Sequence, residues 1–170
     1  MKSAILLLRP HQWLKNLFVF LPLFFGGHLF ETAYLQPAIL VFLAYCLAAS
    51  GIYCFNDIHD ATSDRRHPRK CHRPIACGAV SRSLGYALMA TCFATSFVII
   101  TLGGINVMAA CIIVLYVAMN MVYCLILKHI AILDVFVIAM GFVLRILAGG
   151  LAGSAGTVLL DHFFRIKFWR

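Results

Sequence analysis

Five apolar runs separated by short polar connections decide what this chain can fold into. They occupy roughly residues 17–30, 37–55, 84–102, 105–127 and 130–151. A helix needs about 20 apolar residues to cross a hydrocarbon core about 30 Å thick. The last four runs have that length, and the first is short. Extending it over 13–34 supplies the missing residues, with Pro22 and Gly26-Gly27 as sites for a bend. A soluble core could not absorb this much apolar sequence: 63% of the 170 residues are hydrophobic and 12% charged, and the mean hydropathy is +0.95. Ordinary soluble domains hold about a quarter charged residues. In lipid every backbone polar group must be paired internally, which leaves helices as the default. The expected fold is therefore all-α, a polytopic transmembrane bundle of about five spans.

The basic residues set the expected orientation. With the N-terminus in the cytoplasm, ten of the 14 Lys and Arg fall on the cytoplasmic side: Lys2, Arg9, Lys15, Arg65, Arg66, Arg69, Lys70, Arg73, Arg82 and Lys128. The outer connections, residues 31–36 and Gly103-Gly104, hold none, as the positive-inside rule requires. The net charge of +8 thus points to a lipid bilayer with anionic headgroups, and nucleic acid is not an expected partner. Residues 1–16 mix Lys2, Arg9 and Lys15 with Leu6, Leu7, Leu8 and Trp13, a pattern for an in-plane interfacial segment with Trp13 at headgroup level. The apolar stretch 5–8, ended by Arg9-Pro10, is too short for the core of a secretory signal. Seven cysteines, among them Cys46, Cys54, Cys92, Cys111 and Cys124 inside apolar runs, read as small core residues and not as a disulfide framework.

Chemistry concentrates at one place. Only six residues are acidic, and three of them form Asn56-Asp57-x-x-Asp60-x-x-x-Asp64. On a helix these carboxylates stand at i, i+3 and i+7, on one face. Such a stripe repels itself unless a cation sits in it, and hard oxygen ligands suit Mg²⁺ together with a substrate's phosphates. Directly after it, residues 65–78 carry Arg65, Arg66, Arg69, Lys70 and Arg73. Carboxylates for a metal beside bases for anionic oxygens is the arrangement a diphosphate needs. A zinc site from His67, Cys71, His72 and Cys77 would have a spacing that matches no common ligand pattern. Tyr123 and Lys128 end the fourth run on the same side; Lys128 reads equally as a topogenic charge or as a phosphate contact. Asp134 and Arg145 are 11 residues apart in the fifth run, about three turns, so they share a face that should point into the bundle but are too far apart to pair.

With these segments in view, the chain resembles the UbiA superfamily of membrane-embedded prenyltransferases, and within it the decaprenyl-phosphate phosphoribosyltransferase branch. The resemblance rests on residues 9–16 (RPHQWLKN), the Asn56–Asp64 motif, residues 67–78, residues 128–135 (KHIAILDV) and residues 142–150 (FVLRILAGG), and it covers roughly 5–150. It implies a bundle of about nine spans with a cavity open to lipid and cytoplasm in a bacterial inner membrane. It implies Mg²⁺ as cofactor, 5-phosphoribosyl diphosphate as donor and a polyprenyl phosphate as acceptor, in cell wall biosynthesis. Asp57, Asp60 and Asp64 would then carry the metal and the donor diphosphate, helped by Asn56. Lys70 and Arg73 would act on the phosphates as catalytic and binding groups, with Tyr123 and Lys128 as further substrate contacts.

Two alternatives remain open at this level: prenyl transfer from an isoprenoid diphosphate, and an inert membrane protein. Residues 1–152 read as the N-terminal part of such a domain. Residues 153–170 lose the apolar pattern and place Arg165, Lys167 and Arg170 outside, and so read as an atypical tail left by truncation or a shifted frame. On that reading the chain alone is expected to be inactive, with Asp134 and Arg145 lacking partners.

Overall fold

The computed structural model describes residues 2–152, and the expected tail at 153–170 lies outside them. Regular structure among the described residues is helical throughout, without strands. Helix α1 (Lys2–Leu8) leads into a 3₁₀ helix (Pro10–Phe20), which continues directly as α2 (Leu21–Gly26). The long α3 (Thr32–Asp64), α4 (Arg82–Leu102), α5 (Val107–Leu125) and α6 (Ala131–Gly150) follow. Among the described residues four helices are long and apolar enough to cross a membrane: α3, α4, α5 and the Ile132–Gly150 part of α6.

The first apolar run departs from expectation. It does not extend as one α-helix to Tyr34. It ends at Gly27, whose φ of 77° is the left-handed conformation that glycine adopts without strain, and Tyr34 belongs to α3. Length is gained by stretching instead. At about 2.0 Å per residue the 3₁₀ helix covers about 22 Å, and α2 adds about 9 Å at 1.5 Å per residue. The combined rod of about 31 Å matches the hydrocarbon core although it has few residues. Nor do residues 10–16 lie in the membrane plane. Trp13 Nε1 donates to Ser50 Oγ at 3.0 Å and Asn16 Nδ2 to Cys46 Sγ at 3.2 Å, so this segment stands antiparallel against α3.

Helix α3 is the axis of the bundle. Its inner face is built from small residues, Ala44, Ala48, Ala49, Ser50, Gly51, Cys54 and Ala61, which let neighbouring backbones approach closely. Close packing of this kind replaces the hydrophobic effect as the glue between helices in lipid. α4 lies antiparallel along it, with the Phe93 ring seated on Gly51 and Ser96 Oγ donating to the Ala44 carbonyl at 2.9 Å. Ser81 and Asn106 cap α4 and α5 by accepting from the backbone N–H groups of Leu84 and Met108. The outer flanks of α4, α5 and α6 expose Phe97, Val114, Leu115, Ile132, Val135 and Phe136, side chains suited to lipid. All seven cysteines are free; Cys46, Cys54, Cys92 and Cys124 are buried as expected, but Cys111 is exposed on α5.

At 33 residues α3 is about 50 Å long, well over the hydrocarbon thickness. One end therefore projects, and it is the end that carries the acidic motif. The connection 65–81 folds back over this end: Arg65 Nε donates to the Ala76 carbonyl at 3.1 Å, and Ile75 and Val80 pack with Leu7, Cys54, Ile58 and Ala61.

Candidate functional site

The charged residues of four elements meet at the projecting end of α3. The motif carboxylates do not stand as an open row around one point; each is taken by a cation of the chain. Asp57 is fully buried, and its Oδ1 accepts from Arg9 Nη2 at 2.7 Å with Arg73 Nη1 3.5 Å away. The same Arg73 Nη1 donates to Asp64 Oδ2 at 2.7 Å, so one guanidinium ties two carboxylates about two turns apart. Asp60 accepts from Lys128 Nζ, and His59 Nδ1 lies 3.2 Å from the same oxygen. The i, i+7 pair thus shares a partner, while Asp60, offset by most of a turn, faces another direction.

That direction is a cavity of about 370 Å³. Of the motif, Asn56 and Asp60 line it, opposed by Arg9, Lys70, Arg73 and Lys128, with Tyr53, Asn120, Tyr123 and Asp134 completing the wall. Four cations against two carboxylates leave the lining with an excess of positive charge. All eight residues singled out from the sequence lie here. Six of them, Asn56, Asp60, Lys70, Arg73, Tyr123 and Lys128, line the cavity, and Asp57 and Asp64 hold Arg73 from behind. Arg65 and Arg82 serve the loop instead, bonding the Ala76 carbonyl and Thr62.

Arg9 is the residue the sequence reading missed. It looked like a topogenic charge in an interfacial segment, yet it bonds Asp57 and lies 4.9 Å from the Tyr53 ring centroid. Its backbone is left-handed, φ 50° and ψ 56°, a strained conformation for a side-chain-bearing residue, held where the chain turns from α1 into the 3₁₀ helix. The one hint was Arg-Pro closing an apolar stretch, which marks a break in the helix but not a partner 48 residues away.

Asp134 and Arg145 correct the expectation that they would lack partners. Tyr123 donates to Asp134 Oδ1. Arg145 is buried and donates from Nε to Asn16 Oδ1 at 2.7 Å, from Nη1 to the Gly141 carbonyl at 2.7 Å and from Nη2 to Tyr116 Oη at 2.9 Å. As expected they do not pair with each other, and both face inward. Lys15 is likewise displaced from its expected interfacial place: it lines a second cavity together with Arg145.

Among the described residues no group of three or more His, Cys, Asp or Glu side chains converges as a ready metal-ligand set. The donor chemistry nonetheless fits a hard cation that takes few protein ligands. Asp60 and Asn56, both with oxygen donors, line the cavity, and Asp57 Oδ2 is buried without a hydrogen-bond partner among the described residues. A buried carboxylate oxygen left unpaired is costly, and a metal is one way to satisfy it. Mg²⁺ binds through one or two carboxylates plus phosphate oxygens and water.

Fold and site together define a helical integral membrane protein with a densely charged cavity at one end of its bundle. The chain belongs to the UbiA prenyltransferase family, which it matches over residues 13–169. It is similar to the decaprenyl-phosphate phosphoribosyltransferase of Mycolicibacterium smegmatis, at 41% identity over 86% of this chain and 46% of that protein. The Corynebacterium glutamicum protein of the same name is 36% identical over 94% of this chain and 48% of its own length. Nodulation protein NoeC of Azorhizobium caulinodans is also 36% identical, over 86% of this chain and 47% of that protein. The chain spans about half the length of the curated relatives it matches.

Proposed function

We propose that in its full-length form the protein is a membrane transferase that moves a phosphoribosyl group from 5-phosphoribosyl diphosphate to a polyprenyl phosphate such as decaprenyl phosphate, with Mg²⁺. The observation that carries this reading is the cavity itself: Asn56 and Asp60 facing Arg9, Lys70, Arg73 and Lys128 in one enclosure. Oxygen donors opposite a ring of cations is what a metal-bound diphosphate requires. Relatives named for phosphoribosyl transfer to decaprenyl phosphate support the choice of substrates.

In the reaction, the bond between the ribose anomeric carbon and the diphosphate breaks, its electron pair leaving with the diphosphate, and an oxygen of the lipid phosphate forms the new bond to that carbon. Mg²⁺, held by Asp60 and Asn56 with Asp57 behind, would neutralise the departing charge. Lys70, Arg73 and Lys128 hold phosphate oxygens by charge-assisted hydrogen bonds, which strengthen as negative charge grows on the leaving group. Asp57 and Asp64 act through Arg73: two anchored contacts fix its guanidinium before substrate arrives, so little ordering remains to be done on binding. Tyr123, bonded to Asp134, completes the wall.

The cavity is lined by Arg9, Lys70, Arg73 and Lys128, at the end of α3 that leads into the basic connection 65–81, which supports a cytoplasmic placement in a bacterial inner membrane, where a soluble donor is at hand. Magnesium-dependent binding of 5-phosphoribosyl diphosphate, followed by transfer in the full-length form, tests the reading. Asp60→Asn removes a charge with almost no change in volume and should abolish most metal-dependent turnover at limiting Mg²⁺. Wild-type rates in that variant would refute the metal assignment. Turnover with an isoprenoid diphosphate donor in place of the sugar would establish the prenyl alternative instead.

A further inference from the structure

The connection after α3 sends two basic side chains to the wall of the charged cavity, Lys70 and Arg73. Arg73 has anchors of its own in the carboxylates of Asp57 and Asp64. Lys70 is placed by its backbone, and one side chain organises that backbone. The N–H groups of Arg69 and Lys70 both donate to His67 Nδ1, at 3.2 and 3.3 Å. The next N–H, of Cys71, donates to the His67 carbonyl at 3.2 Å. Three successive donors thus end on one residue.

Pro68 explains why a side chain is needed there. It offers no N–H and disfavours the helical conformation in the residue before it, so the hydrogen-bond ladder of α3 cannot run on into the connection. The first N–H groups after it need acceptors. Nδ1, unprotonated when it accepts, meets two of them as the side-chain oxygen of a helix cap would. His67 is itself tied to α3, its N–H donating to the Asp64 carbonyl at 3.0 Å. A short 3₁₀ turn, Lys70–His72, carries the chain on, and Arg73 N–H donates to the Lys70 carbonyl at 3.0 Å. His67, Lys70 and Arg73 are therefore bonded steps that lead from the end of α3 to the cavity wall.

We propose that His67 is a positioning residue for the donor: its ring fixes the turn that holds Lys70 at the cavity, and Lys70 in turn meets the diphosphate. The identity of the donor rests on the transferase reading. His67 stands outside the cavity wall, so it acts through Lys70 and not on the phosphates. Ordering the backbone beneath a long, flexible side chain before substrate arrives removes part of the cost of binding. Arg73 keeps its two carboxylates whether or not the ring is there, so loss of the ring should fall on Lys70.

The test compares His67→Phe, which keeps an aromatic ring without an acceptor, with His67→Asn, whose Oδ1 can accept in the place of Nδ1. His67 is exposed, so both variants should fold, and the protein is held in phosphatidylcholine nanodiscs. Amide hydrogen exchange at Arg69 and Lys70 should quicken about five-fold in His67→Phe, the worth of one ordinary hydrogen bond, and stay near wild type in His67→Asn. Magnesium-dependent binding of 5-phosphoribosyl diphosphate, by isothermal titration, should weaken about five-fold in His67→Phe and recover in His67→Asn. In a Lys70→Met background, His67→Phe should alter affinity by less than about two-fold, since the contact it serves is gone. Unchanged exchange or unchanged donor affinity in His67→Phe overturns the proposal, and so does a loss that adds in full to that of Lys70→Met. Absence of donor binding in the wild type would instead refute the donor reading; the exchange contrast between the two His67 variants would then still decide whether the ring sets the turn.

Discussion

Gly149→Ala offers a sharp test of how the bundle holds its polar interior in place. A methyl added at Gly149 would lie 2.7 Å from the Val19 carbonyl carbon and 3.0 Å from its Cα, and closer still to the carbonyl oxygen. Carbon atoms rest at about 3.5–4.0 Å, so α6 must retreat from the 3₁₀ helix by about 1 Å. The obstacle is backbone and cannot rotate away. One turn earlier on α6, Arg145 Nε donates to Asn16 Oδ1 at 2.7 Å. A retreat of about 1 Å takes that contact beyond hydrogen-bonding range. Overpacking costs about 1–3 kcal/mol, and losing a hydrogen bond to a charged group about 1.5–3 kcal/mol; together the variant should lose about 3–5 kcal/mol. Unfolding by SDS titration from mixed micelles, followed by circular dichroism, reads this directly. Gly51→Ala is the control, because there the methyl meets the edge of the Phe93 ring at 2.7 Å, a side chain facing α3 that can turn. It should cost less than half as much. Equal stability of Gly149→Ala and the wild type would refute the close approach of α6 to the 3₁₀ helix and, with it, the seating of Arg145.

Arg73→Met should destabilise the protein by about 3–5 kcal/mol in the same titration, because it strands Asp64 and removes one of two cations from buried Asp57. Lys70→Met, at an exposed residue, should change stability by less than about 0.5 kcal/mol yet raise the dissociation constant for phosphoribosyl diphosphate, which isothermal titration in the presence of Mg²⁺ would measure. Single cysteines at Ser63 and Ala79, both exposed at the acidic end, should react with an impermeant maleimide only after cell lysis. Ala79 is preferable to Ser81, whose hydroxyl caps α4. Arg9→Lys should fold but bind the donor less tightly, since an ammonium cannot keep both the Asp57 contact and the planar contact with Tyr53.

The long apolar helices were legible because their signal is local: length and hydropathy fix α3 to α6 without reference to any neighbour. The acidic motif was legible for the same reason, as three of the chain's few carboxylates fall within eight residues. What escaped was pairing. Helical spacing placed Asp57, Asp60 and Asp64 on one stripe, but it could not show that Arg9 and Arg73 take the first and last while Lys128 takes the middle one. Those partners come from α1's end, the 65–81 connection and the entrance to α6, and a linear pattern holds no record of such meetings. The 3₁₀ geometry of Pro10–Phe20 was equally hidden, since no sequence period separates it cleanly from an α-helix.

That geometry has a structural consequence for the site. From Asp57 to Phe42, α3 advances about 15 residues, or about 22 Å at the α rise. Along the partner segment, Arg9 meets Asp57 and Phe20 meets Phe42, a stretch of about 11 residues that also covers about 22 Å at the 3₁₀ rise. An α-helix of the same residues would fall about 5 Å short. If Phe20 kept its contact with Phe42, Arg9 would be pulled a full helical turn away from Asp57; if Arg9 stayed, the far end would lose its packing against α3 and Gly149. The tighter helix is thus what allows one short segment to close the charged cavity at its start, hold Asn16 against Arg145 in its middle and pack on α6 near its end. Its less favourable hydrogen-bond geometry is offset by side chains that cross to α3, Trp13 to Ser50 and Asn16 to Cys46, which pin the stretched register at two levels of the bundle.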